Sequence, residues 1–390
     1  MFKKIILLVI IVFSVTICLI VTNNYSSKEK TEGKQQVESQ NEKVIERITI
    51  PQSDYDKIEL DYQKLSLVPK KSELYFNHVY NDILYLSVLD EKNNLSKPLM
   101  TTPKLITYNL KTKESKIYDY DYDIRIWDYI IKNDAIYFTT IEYTNDNKIE
   151  WSLVYSDLNF NNQKILKQGE ITDGLMSPNI ILDNENIYVV TINESDYNKE
   201  YSFYKINSDN SIKQLLTIDN SIESIHHPYR TVIKDENIYY MAYNKTRQFL
   251  YKYDYKNNEK DIIFSIDNGN STIFDFLVMD DYYMIDLAEK NDNSSLIFKY
   301  NNGTVLNVND SIFLTSFRKV SENKFLTHNN DKKNNTRIFK LFNSNGEVEK
   351  IFNFENLSLN YKYMVYDSNY IIMTNYDPNE IYIYDIRKLK

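Results

Sequence analysis

A single cysteine, Cys18, stands in the 390 residues of the chain. It lies in an apolar N-terminal run, so the remainder has no disulfide and no thiolate metal site. Stability must therefore come from packing. Glycine is scarce, with 6 residues, and proline adds only 7. That argues against glycine-dependent phosphate loops, and no G-x-S-x-G elbow or H-E-x-x-H pair occurs. Only four histidines are present, His78, His226, His227 and His328. Positive charge is in deficit, with 46 Lys and Arg against 55 Asp and Glu for a net −9. With no basic stripe to offset this, nucleic acid is not expected as a partner. No cofactor and no metal are expected either.

What the chain has in excess is aromatic surface, 35 Tyr and 18 Phe, within an apolar share of 42%. Aromatic and β-branched residues suit a pleated, half-buried surface, which favours strands over helices.

The start reads as a targeting segment. Lys3 and Lys4 precede seventeen uncharged, mostly apolar residues from Ile5 to Val21. This length falls within the range of a spanning helix, and the lysines place the N-terminus on the cytoplasmic side. The first reading is an uncleaved signal anchor over 1–22. Two others stand beside it: a cleaved signal peptide, and a lipoprotein in which "VTIC" (15–18) supplies a lipidated Cys18. Residues 23–43, beginning "NNYSSKEKTEGKQQ", have almost no apolar content and read as a disordered stalk. The rest, 44–390, reads as one exported domain.

Within that domain an octet recurs. "IKDENIYY" (233–240) has counterparts beginning at Val79, Ile131, Leu182, Val278, Val320 and Val365. An aliphatic residue is followed by a polar pair and a β-rich run, the pattern of two strands joined by a tight turn. A second motif follows each octet, such as "LITYN" (105–109), "LVYSD" (153–157) and "LYKYD" (250–254). It is an alternating strand ending at Asn or Asp. A short further strand completes a unit of four strands in about 48 residues, which matches the period of a propeller blade.

The "NIYY…LYKYD" pairing resembles bacterial exported β-propeller repeat proteins over residues 70–390. The expectation is all-β: a seven-bladed β-propeller with four antiparallel strands per blade. The last copy lacks room for a fourth strand. A segment at about 63–68, Gln63–Val68, is expected to complete it and close the ring.

Candidate contact residues fall on the inner strands and blade connections, which crowd one rim of a propeller. "IHHPYR" brings together His226, His227, Tyr229 and Arg230. "DIRIWDY" places Arg125, Trp127 and Asp128 toward the channel mouth, and Asp275 and Arg318 hold comparable positions. The alternating Asp119, Asp121 and Asp123 read as a solvated acidic strand rather than a calcium loop, which needs ligands wrapped around a point. No catalytic motif is present. The expected role is a membrane-tethered, extracytoplasmic module binding a cell-envelope protein, peptide or glycan. The alternative is a glycan hydrolase or lyase using channel carboxylates.

Overall fold

The structure is a computed structural model. It describes residues 43–49, 62–65, 72–90, 102–124, 126–143, 149–171, 178–183, 186–195, 198–219, 224–226, 230–269, 271–289, 294–310, 316–331, 336–353, 361–366, 370–375 and 381–389. The chain divides into two compact units, Met1–Glu42 and Lys43–Lys390. The first, with the anchor and almost all of the stalk read from the sequence, lies outside the described residues. Among the described residues no helix is long and apolar enough to cross a membrane.

The second unit is an all-β propeller. Its strands form seven sheets, in which inner strands of neighbouring sheets approach one another. Six blades are each built from strands consecutive in sequence, over 72–124, 126–171, 179–219, 224–267, 271–310 and 316–353. The remaining, C-terminal sheet is a composite. It holds Tyr361–Tyr366, Tyr370–Asn375 and Ile381–Asp385, with Tyr62–Leu65 antiparallel to the last of these.

The fold expectation is therefore corrected: six self-contained blades, not seven equivalent ones of four antiparallel strands, describe the molecule. Blade five carries a fifth, outermost strand, Lys43–Thr49, which runs parallel to Thr304–Asp310. Residue 43 begins this strand rather than ending a stalk. The inner strand of blade four is broken into Ser224–His226 and Val232–Lys234. The expected closing strand Gln63–Val68 is not formed as such; the segment against the C-terminal sheet is Tyr62–Leu65. Its partner, Ile381–Asp385, has only five residues, which limits the ladder to Tyr62↔Tyr384 through Leu65↔Ile381.

Strand alternation explains the packing. Successive side chains leave a strand on opposite faces, and here each face meets a different neighbouring blade. Ile187 and Val189 join the cluster between blades two and three, while Tyr188 and Val190 join the one between three and four. Likewise Leu84 and Leu86 pack toward the C-terminal sheet and Tyr85 toward blade two. A strand buried on both faces needs a near-continuous apolar run, and the "NIYVV" and "NIYYMA" segments supply one.

The turns show how a glycine-poor chain makes hairpins. Asn81–Asp82, Asn133–Asp134 and Asp235–Glu236 each hold two consecutive left-handed residues, with φ between 49° and 62°. Two such residues make the type I′ turn whose twist matches antiparallel strands, and Asn and Asp enter that region most readily after glycine. The Asn or Asp ending the third strand is equally purposeful. Asp254 Oδ1 accepts from the backbone N–H groups of Lys256 and Asn257, both at 2.9 Å. Asn109 does the same for Lys111 and Thr112.

Candidate functional site

Hairpin geometry gives the propeller two ends. Turns between first and second, and third and fourth, strands lie at one end. Second-to-third loops and blade connections lie at the other, the connector end.

Besides register shifts in fourth strands and one at Val320, the inner strands are irregular on their connector side. His226 stands opposite Met241 and Val232 opposite Tyr239. Only Tyr240 remains between those partners, so five residues, 227–231, stand between the two stretches of ladder across one. This is the segment "HPYRT". Smaller irregularities sit at the corresponding place elsewhere. Register shifts insert Phe76, Trp127 and Phe274 as extra residues in the inner strands of blades one, two and five, and Lys362 in that of the C-terminal sheet. Three of the four are aromatic and the fourth is a lysine. A bulge leaves its residue unpaired and re-aims it relative to the ladder, and bulges cluster beside binding and active sites.

The charged candidates beside these bulges face protein groups. Asp128 follows the Trp127 bulge. Its Oδ1 accepts from the Tyr129 N–H at 2.9 Å and its Oδ2 from the Ile180 N–H of blade three at 2.8 Å. Burial raises its pKa to about 6, and the two backbone hydrogen bonds only partly oppose that rise. Thr139 lies opposite it and donates to the Pro178 carbonyl at 3.3 Å. Together they tie blade two to the entrance of blade three.

Asp275 follows the Phe274 bulge in the same manner. Its Oδ1 accepts from the Phe276 N–H at 2.9 Å, and Oδ2 lies 3.5 Å from Arg230 Nη1. Arg230 also donates to the Phe274 carbonyl, with its guanidinium carbon 4.3 Å above the Phe274 ring. An arginine at the edge of the blade-four excursion is thus clamped onto the blade-five bulge by charge, hydrogen bond and cation–π contact. Asp286 stands opposite Asp275 and is fully buried.

Asp128, Arg230 and Asp275 each stand three residues before an octet, but the ladder position of Asp128, opposite Thr139, and of Asp275, opposite Asp286, is held in blade four by His226, opposite Met241, with Arg230 off the ladder. Trp127, His226 and Arg318 lie on the inner strands at Ile126–Lys132, Ser224–His226 and Ser316–Ser321. Arg125, His227 and Tyr229 fall outside the described residues. Sequence reasoning missed the bulge residues Phe76, Phe274 and Lys362. For the two phenylalanines the available signal was an aromatic three or four residues ahead of the octet; nothing comparable marks Lys362. Among the described residues no group of three His, Cys, Asp or Glu is arranged to hold a metal ion.

No family model matches the chain, and no curated protein matches it. Solved structures do. The β-propeller domain of the Trilobed protease from Pyrococcus furiosus aligns with a TM-score of 0.54 at 10% identity, covering 81% of this chain and 94% of that one. An acylaminoacyl peptidase aligns at 0.52 and 11% identity, covering 81% of this chain and 51% of the other. The polysaccharide lyase Uly1 aligns at 0.50 and 9% identity over 86% and 93%. At such identities the likeness is one of fold.

Proposed function

We propose that the protein is a membrane-tethered, extracytoplasmic binding or assembly module whose contact surface is the connector end. Its partner is a cell-envelope protein, peptide or glycan. Tethering rests on Lys3, Lys4 and the apolar run Ile5–Val21. The observation that carries the binding role is the break in the inner ladder between His226 and Val232, accompanied by single-residue bulges on the connector side of four other inner strands. Departures from a repeat cost stability and persist where something else is gained. Here the described residues set apart from the ladder include Trp127, Phe274, Arg230 and Thr231.

The enzymatic alternative requires two accessible carboxyl groups roughly 5–10 Å apart across a bound sugar. One of the three neighbours above is named a polysaccharide lyase, a likeness of fold alone. Asp128 accepts two backbone hydrogen bonds and Asp275 is held by Phe276 and Arg230. Asp286 is buried in the sheet. Asp128 and Asp275 are placed to join blades, which favours binding without turnover.

The test replaces 227–231 by one residue, as in the single-residue bulges of blades two and five. Binding of the full chain to isolated envelope membranes and sacculi is expected to fall at least about tenfold, about 1.4 kcal/mol. The melting transition should be retained. Undiminished binding by the shortened, folded chain would refute the assignment.

A further inference from the structure

The turn end holds a cavity of about 460 Å³ between blades two and three, within the ~300–1,000 Å³ of small-ligand pockets. The aliphatic part of its lining is mainly Ile187 and Ile206, which stand opposite each other on neighbouring strands of blade three. Both are buried in the cluster shared with blade two. Blade two supplies Tyr137 and Tyr155, directly opposite each other on its second and third strands. Their rings meet edge to face at 5.2 Å between centroids, and both are half-buried. Asn207, Ser208 and Asn210 come from the turn between third and fourth strands of blade three. The Tyr137 hydroxyl donates to Asn210 Oδ1 at 2.9 Å, fixing ring and turn together.

No Asp or Glu lines the cavity, and its two lysines bring no uncommitted charge. Lys205 alternates with Ile206 and so leaves its strand toward blade four. There its ammonium lies 5.8 Å from the centre of the Tyr188 ring. Lys132 is engaged within the protein. What is left over is neutral. Among the described residues, the Tyr155 hydroxyl, the Asn186 amide and the Ser208 hydroxyl make no hydrogen bond within the protein. Asn210 keeps its NH2 after accepting from Tyr137, and Asn207 keeps its carbonyl oxygen after donating to Ser211 Oγ at 2.9 Å. Amides and hydroxyls both donate and accept, as ligand hydroxyl groups require. A tyrosine ring face is electron-rich and attracts the C–H groups that line one face of a pyranose.

We infer that this cavity binds an uncharged saccharide of one or two pyranose rings, at a site separate from the connector end. The Tyr137–Tyr155 pair takes the C–H face of a ring, and Tyr155, Asn186, Asn207, Ser208 and Asn210 take its hydroxyls. Recognition is by stacking and neutral hydrogen bonds, so affinity does not depend on salt. A carboxylate on the sugar would lose its water without gaining a free cation, and is disfavoured. The inference does not depend on the proposed rim, because the two sites lie at opposite ends of the blades and are altered by different variants.

Calorimetric titration of the full chain, in micelles of a detergent without a sugar headgroup, tests it. The neutral probes are lactose, cellobiose and diacetylchitobiose, and digalacturonic acid is the charged one. Saturable binding of at least one neutral probe is expected, with a Kd of about 1 mM or below and at least about tenfold tighter than the acid. Affinity should be the same at ~50 and ~500 mM salt. The double variant Tyr155→Phe, Asn186→Leu removes hydrogen-bonding groups while keeping bulk, and should weaken binding about tenfold with the melting temperature held. No binding of any neutral probe would overturn the inference. So would equal or tighter binding of the acid, a dependence on salt, or undiminished binding by the folded double variant. If the double variant fails to fold, Tyr155→Phe alone decides, with a loss of about threefold expected.

Discussion

Residue by residue, the repeat is a set of small backbone solutions. Asp128 shows the cost of one of them. Its carboxylate accepts two backbone N–H groups and joins two blades, yet burial holds its pKa up at about 6. An acid with a raised folded-state pKa favours folding fully below its unfolded value near 4. That contribution is lost as the pH rises through the folded pKa. The window is therefore about pH 4 to 6, and the amount is on the order of 2–3 kcal/mol. Urea unfolding of the full chain and of Asp128→Asn across pH 4–7 checks this. The stability of the wild type relative to the variant should fall with rising pH and level off above about 7. A difference independent of pH would mean that the carboxyl is not held in this way.

Among elements, the turns between third and fourth strands separate backbone strain from steric fit. Gly303 and Gly346 both have positive φ, 83° and 76°. A Cβ on Gly303 would meet nothing within 4 Å, whereas one on Gly346 would lie 2.7 Å from Leu306 Cδ2 and 3.2 Å from Phe298 Cε2. Gly303→Ala should cost about 1 kcal/mol, the strain of a left-handed alanine. Gly346→Ala should cost about 1–3 kcal/mol more, because Leu306 and Phe298 belong to the packed cluster between blades five and six. Denaturant midpoints of the two variants give the comparison.

At this same scale, much of the fold is readable from the sequence. Alternation and the polar pair identify each inner hairpin, and the terminal Asn or Asp marks an Asx turn. What was not readable has physical causes. The strand Lys43–Thr49 is charged and short, and its partner, Thr304–Asp310, lies about 260 residues away, so no local signal announces the pairing. Asp128 and Asp275 look ligand-facing in sequence because alternation fixes a face only in an unbulged strand. An extra residue shifts that register, and Trp127 and Phe274 are such residues. The residue after the terminal Asn or Asp is apolar in four copies, Leu110, Leu158, Tyr255 and Ile386, and polar in three, Ser208, Asn302 and Ser344, so it marks no single blade.

In the propeller unit, the core is distributed over the blade interfaces, and second strands such as Asn186–Ser195 and Asn237–Tyr243 contribute to two of them. A scaffold of this kind can carry departures at single blades without losing the packing elsewhere. The excursion and four single-residue bulges lie on the inner strands toward the connector end, while a further inner-strand shift at Val320 lies beside its hairpin turn and others lie in fourth strands. The central claim is that binding at the connector end is made where the inner ladder opens. Hydrogen exchange of the full chain with and without envelope membranes and sacculi measures this directly. Slowed exchange within 224–234, with the outer strand Glu259–Asp267 unchanged, is the expected result. Protection confined to outer strands, with none across 224–234, would contradict it.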